Sequence, residues 1–232
     1  VVVGMLLFLP GLLAFKVIAR WPADKTARWM IWIYAKVWIA IASPFVRLKR
    51  ENLSRRTFPE YGIMVMNHLS FFDAYFLGAL PVFDATIAIR AWPFRMPWYA
   101  PVMRCAGYIN IEQAPWEQIE RTAREVALEK RYIVMFPEGH RSRNGRLGRF
   151  HSGAFKLARE TQMPIIPLCI SGTGRLLPPG RRWMAPAEVR FRLLPVVHPS
   201  QFPGELGHVA MRKHVKAMMA DALSEMRQEL GA

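Results

Sequence analysis

The sequence predicts an α/β domain, a mixed and largely parallel sheet flanked by helices, and three observations lead there. Strand-like and helix-like runs alternate along residues 48–232, the order that feeds a parallel sheet through helical crossovers. Several strand runs are short and continuously apolar, as strands covered on both faces are. The composition, 52% hydrophobic with 8 Trp and 14 Phe in 232 residues, can fill one large core and is too aromatic for a disordered chain.

Taken in order, residues 1–47 read as a separate unit, an N-terminal helical hairpin associated with a membrane. Its first arm, residues 1–15, is apolar and broken at Pro10-Gly11, and its second, residues 29–46, carries only Lys36. Both fall short of the ~20 residues that cross a bilayer comfortably. Lys16, Arg20, Lys25 and Arg28 lie between the arms, and Arg47, Lys49, Arg50, Arg55 and Arg56 follow them. Two crossings would put these clusters on opposite faces, against the positive-inside bias. A hairpin dipping into one leaflet or lying in the interface is therefore expected, with two core helices of a soluble domain as the alternative. The net charge of +15 favours anionic partners, and with this much apolar content an anionic lipid leaflet ranks above nucleic acid. No RNA-binding pattern interleaves the basic residues with aromatics, so no nucleic-acid partner is expected.

Beyond the hairpin, strands are expected over 63–66, 85–89, 108–111, 132–136, 165–170 and 188–194. Helices are expected over 71–80, 98–106, 115–130 and 150–161; the third opens on Pro115 and is rich in Glu, Arg and Ala. A last helix over 205–230 puts Met211, Val215, Met218, Ala222, Met226 and Leu230 on one side. Residues 172–186, rich in Gly, Pro and Arg, read as an exposed loop. Cys105 and Cys169 sit in apolar runs without metal spacing and read as reduced core residues in a reducing compartment.

Two stretches carry chemistry. In Asn67-His68-Leu69-Ser70-Phe71-Phe72-Asp73, Ser70 and Asp73 form a capping box that opens the helix over 71–80. His68 then stands at the carboxyl edge of the preceding strand, where sites of open α/β sheets collect, with Asp73 within one helical turn. A carboxylate on Nδ1 would fix the tautomer and leave Nε2 to take a proton from a hydroxyl. A capped helix beside an incidental His is the bland alternative. No G-x-S-x-G elbow occurs, which argues against a serine hydrolase, and His140, His151, His198, His208 and His214 form no zinc pattern, so no metal is expected.

The second stretch, Phe136-Pro137-Glu138-Gly139-His140-Arg141-Ser142, follows a strand with a Gly turn, a guanidinium and a hydroxyl, the parts of a phosphate-binding corner. Arg143, Arg146 and Arg149 surround it with positive charge, although singly Arg146 and Arg149 suit a solvated basic loop equally well.

With both stretches in view the sequence resembles the PlsC-type glycerolipid acyltransferases. Asn67-His68 with Asp73 matches that family's N-H-x4-D motif, and residues 136–142 match F-P-E-G-T-R-S with His140 in place of Thr. Residues 107–113 resemble its G-x-hydrophobic-x-I-x-R block and Ile165-Ile166-Pro167-Leu168 its final apolar block. The resemblance implies the acyltransferase fold over residues 48–232. It implies transfer of a fatty acyl group from acyl-CoA or acyl carrier protein to a lysophospholipid hydroxyl, 1-acylglycerol-3-phosphate above all, in membrane phospholipid biosynthesis. His68 would be the general base and Asp73 its orienting acid. Asn67, Arg90, Glu138, Gly139, Arg141 and Ser142 would bind the polar part of the substrate. No bound cofactor is needed, since a thioester is already activated, and the expected location is the cytoplasmic face of the inner or cell membrane. One departure bears on the acceptor: Gln113 stands where the family has an Arg that helps hold its phosphate. Another lysolipid or a polyol-linked lipid is the alternative that follows; a membrane-associated thioesterase, using the same base to activate water, is a further one.

Overall fold

A computed structural model of the chain describes residues 20–54, 56, 58–97, 99–142, 145–176 and 184–229. The first half holds α1 (Ala23–Ala42), β1 (Val46–Glu51), β2 (Gly62–Met66), α2 (Asp73–Phe76), β3 (Ala85–Ile89), α3 (Ala100–Cys105) and β4 (Ile109–Asn110). The second holds α4 (Trp116–Leu128), β5 (Tyr132–Met135), α5 (Gly153–Thr161), β6 (Ile165–Ser171), α6 (Thr173–Leu176), β7 (Ala187–Leu193) and α7 (Gly207–Glu229). Short 3-10 turns lie at Leu77–Ala79, Trp92–Arg95 and Pro199–Gln201.

The strands form one sheet in the order β1-β7-β6-β2-β5-β3-β4. All neighbours run parallel except β6 and β7, so the sheet is mixed and largely parallel. The apolar runs have the cause expected of them. In β2 every residue is buried, with Ile63 and Val65 facing one core and Met64 and Met66 the other. Helices α4, α5 and α7 close the first core with Ile119, Ala123, Phe155, Met211, Val215 and Met219, while α1 and α2 close the second with Ala42 and Phe76. Met219 takes the core position expected of Met218, which is only partly buried, and Leu230 lies outside the described residues.

Several boundaries differ from expectation. The first hairpin arm lies outside the described residues. The second is a layer of the domain: the 29–46 run splits between α1 and β1, and position 47/48 falls inside β1. Gly78 lets α1 approach, since a Cβ there would stand 2.7 Å from the Ala35 carbonyl carbon and the Lys36 nitrogen. Buried Arg28 ties the start of α1 to Asp84 at 2.6 Å, Asp24 at 3.0 Å and the Ala106 carbonyl at 3.2 Å. Among the described residues no helix is long and apolar enough to cross a membrane.

Strand β1 is absent from the sequence reading because Val-Arg-Leu-Lys-Arg-Glu has no apolar run. It is held as an edge by pairing with β7 and by ion pairs of Lys49 to Glu188 (3.0 Å) and Glu51 to Arg192 (2.5 Å). Such partly exposed pairs contribute roughly 0–1 kcal/mol each. Burying one Ile or Phe contributes roughly 1.5–3 kcal/mol, so the central strands carry the stability of the sheet. Burial pushes the Cys169 thiol up to about 12, as suits an unreactive core residue.

Candidate active site

Strands β2 and β5 are parallel neighbours, with Met64 beside Val134 and Val65 beside Met135. Their carboxyl ends therefore deliver the Asn67–Asp73 and Pro137–Ser142 stretches side by side. There His68 Nδ1 lies 2.7 Å from Asp73 Oδ2, and the imidazole packs on Phe136 with ring centroids 4.5 Å apart. The His68 side chain is 22% exposed and Asp73 fully buried. Beside a carboxylate Nδ1 carries the proton, which leaves Nε2 as the acceptor.

Asp73 is held tightly. Its Oδ2 also accepts from the Leu69 N–H at 2.6 Å and the Ser70 N–H at 2.8 Å, and its Oδ1 accepts from the Thr173 hydroxyl at 2.6 Å. The expected capping box is only half made. The helix begins at Asp73 rather than 71, and Ser70 Oγ accepts from the Phe72 N–H at 3.3 Å instead of that of Asp73. The remainder of the expected 71–80 helix is the 3-10 turn Leu77–Ala79.

Three residues expected to bind substrate spend their polar atoms on the main chain instead. Buried Asn67 bonds both ways to Ile170 of β6, donating to its carbonyl at 2.9 Å and accepting from its N–H at 2.8 Å. Buried Glu138 accepts from the His68 N–H at 2.9 Å and the Gly148 N–H at 2.7 Å. The Ser142 N–H donates to the His68 carbonyl at 2.7 Å, and its hydroxyl donates to the Arg146 carbonyl at 2.7 Å. The His68 peptide is thus clasped on both sides by the second stretch. Gly139 turns at φ +70, with the His151 ring 3.4 Å from where a Cβ would stand. Arg141 is exposed on the same loop.

Arg90 follows β3, two strands from β2, a lateral distance of about 10 Å. Its Nε meets Glu112 at 2.5 Å. The Ala91 N–H and the Arg90 guanidinium hold the Glu112 carboxyl below the usual carboxylate range. Gln113 accepts from the Asn110 side-chain amide at 2.7 Å. Gln113 and Asn110 line a groove of about 520 Å³ alongside β4 whose walls do not include His68.

The sequence reading misses Thr173, which lies in the stretch expected to be an exposed loop and is fully buried. A signal existed: Ser171-Gly172-Thr173 follows the apolar run 165–170, so hydroxyls fall at a strand's carboxyl end. Residues 177–183 of that stretch lie outside the described residues.

An open α/β sheet with a His–Asp pair at its carboxyl edge defines a protein equipped to take a proton from a hydroxyl or from water. A family model described as Acyltransferase matches residues 45–171, more than half of the chain. The chain belongs to that acyltransferase family, of the PlsC type that its motifs resemble. It is 33% identical to the chloroplastic 1-acyl-sn-glycerol-3-phosphate acyltransferase BAT2 of Brassica napus, over 68% of this chain and 47% of that protein. With the 1-acyl-sn-glycerol-3-phosphate acyltransferase of Escherichia coli it shares 27% identity over 81% of this chain and 78% of that one. The chain spans about half the length of plant relatives such as BAT2. The crystal structure of the 1-acyl-sn-glycerophosphate acyltransferase PlsC of Thermotoga maritima superposes with a TM-score of 0.70 at 23% identity, covering 88% of this chain and 81% of that one, a likeness of fold.

Proposed function

We propose that this chain transfers a fatty acyl group from an acyl thioester, acyl-CoA or acyl carrier protein, to a hydroxyl of a lysophospholipid, 1-acylglycerol-3-phosphate first among them. The observation that carries the reading is the 2.7 Å contact of His68 Nδ1 with a fully buried Asp73, which leaves Nε2 to act as base. The names borne by the relatives support the acceptor. Nε2 takes the proton of the acceptor hydroxyl as its oxygen attacks the thioester carbonyl. The C–O bond forms, the tetrahedral intermediate collapses with loss of the C–S bond, and the imidazolium returns the proton to the departing thiolate. Asp73 stabilises that imidazolium. Arg141 and the Gly139 turn are the groups for the anionic headgroup, with Asn67, Glu138 and Ser142 as the frame beneath them.

A neutral amide pair, Gln113 with Asn110, stands where the family's Arg is expected, and this favours a second acceptor class, other lysolipids or polyol-linked lipids. Purified protein given labelled acyl-CoA or acyl carrier protein and a panel of lysolipids tests both. Product on lysophosphatidate is expected. Product only on another acceptor selects the second class, and acceptor-independent thiol release would replace the reading by hydrolysis.

The reading places the chain on an anionic leaflet, at the cytoplasmic face of the inner or cell membrane. Support comes from an apolar strip. Val37, Ile41 and Phe45 are exposed on one side of α1 and its exit, beside Trp38, which stacks on Phe72 at 5.0 Å. Exposed Phe71, three residues after His68, meets exposed Trp92 at 6.4 Å. Contiguous exposed apolar surface of this kind marks an interaction site. Ile41→Asp is expected to weaken binding to phosphatidylglycerol vesicles about tenfold or more in a sedimentation assay, with an unchanged melting midpoint. Unchanged vesicle binding would remove this strip from the membrane contact.

A further inference from the structure

We infer that Thr173 is a positioning residue for the His68–Asp73 pair, acting on the second oxygen of the Asp73 carboxylate. The inference rests on the reading of His68 as the base and adds a member from a third strand. Three donors converge on Oδ2: His68 Nδ1 and the N–H groups of Leu69 and Ser70. None of them touches Oδ1, whose hydrogen bond comes from the Thr173 hydroxyl at 2.6 Å. That length is typical of a charge-assisted O–H···O⁻ bond. The terminal torsion of an Asp is broad, so contacts on one oxygen alone leave the carboxylate plane weakly defined. A donor on the other oxygen fixes it. Without Thr173 a fully buried oxygen lacks a partner, and the donors it can reach by turning are those that hold Oδ2 against the imidazole.

The placement of Thr173 is itself tightly specified. It starts α6 directly after Gly172, which turns at φ +91 and has the Glu188 carbonyl oxygen 2.0 Å from where a Cβ would stand. Only glycine fits there. Just upstream, Ile170 is bonded to Asn67, so the end of β6 is tied to the end of β2 twice, by an amide and through Asp73. A hydroxyl is well suited to this position, because it satisfies the carboxylate without neutralising the charge that the imidazolium needs. The family match ends at residue 171, short of Thr173.

Thr173→Val removes the hydroxyl at nearly constant volume, and Thr173→Ser keeps it. Thr173→Val is expected to lower kcat about 10- to 100-fold, the loss of one hydrogen bond to a charged group, with KM changed less than about twofold. Thr173→Ser is expected to stay within about threefold of wild type. In an Asp73→Asn background the Val substitution is expected to cost less than about twofold more, because its effect runs through that carboxylate. A substrate-free readout accompanies the kinetics: the His68 Nδ1 proton resonance in ¹⁵N-histidine-labelled protein moves in Thr173→Val and stays in Thr173→Ser. Should Val prevent folding, Thr173→Ala gives the same readouts. The inference is overturned by a folded Val variant with more than half of wild-type kcat, by equal loss in the Ser variant, or by an unmoved resonance. His68→Ala run in parallel separates the two readings: its full activity removes the base, while the His68 resonance in the Thr173 variants, which keep the imidazole, still reports on Thr173.

Discussion

His68→Ala is expected to lower the rate of acyl transfer about 10²- to 10⁴-fold, the usual contribution of a positioned base. The folded state should survive. The lost ring is partly exposed, and Asp73 keeps three of its four donors, from Leu69, Ser70 and Thr173. A circular-dichroism melt beside a single-turnover assay separates lost chemistry from lost structure. A well-folded His68→Ala protein that still acylates at the wild-type rate would remove the base from the mechanism.

Glu138→Gln is expected to damage both stability and rate. The buried carboxylate accepts from two main-chain amides, those of His68 and Gly148. A Gln offers one oxygen, so its NH₂ must face one of those N–H groups, donor against donor. Leaving one buried donor unsatisfied costs about 1–3 kcal/mol, read as a lower midpoint in a denaturant melt. Displacing the His68 peptide by about an ångström costs on the order of 10²-fold in kcat. A substrate ligand would behave differently, raising KM at an unchanged midpoint, and that outcome would return Glu138 to the binding surface.

How far the sequence reveals this molecule depends on which forces act at each position. Strands β2 and β6 are legible because both faces are covered and the run must be apolar. β1 is not, because a charged edge strand is specified by partners far away, Glu188 and Arg192, rather than by its own pattern. In the site, His68 and Asp73 are legible as a pair because local spacing brings them together. Asn67, Glu138 and Ser142 are legible as polar and buried-prone, yet their partners are backbone groups of Ile170, His68, Gly148 and Arg146. Residue type tells what a side chain can bond, and the fold decides which group reaches it first. Thr173 is hidden for a related reason: a Gly-rich stretch signals a turn without telling which residue the turn buries.

The clasp around the His68 peptide also has a consequence for the order of folding. His68 and Asp73 are near neighbours in the chain, but the groups that hold them belong to Glu138, Ser142 and Thr173. Parallel pairing of β2 with β5 and β6 needs long crossovers, and such non-local contacts form late because loop closure precedes any gain from them. A growing chain that has emerged only through β4 therefore contains both members of the pair and none of those three contacts. The geometry of the His68–Asp73 pair is a property of the completed sheet, acquired when the end of β6 closes against the end of β2.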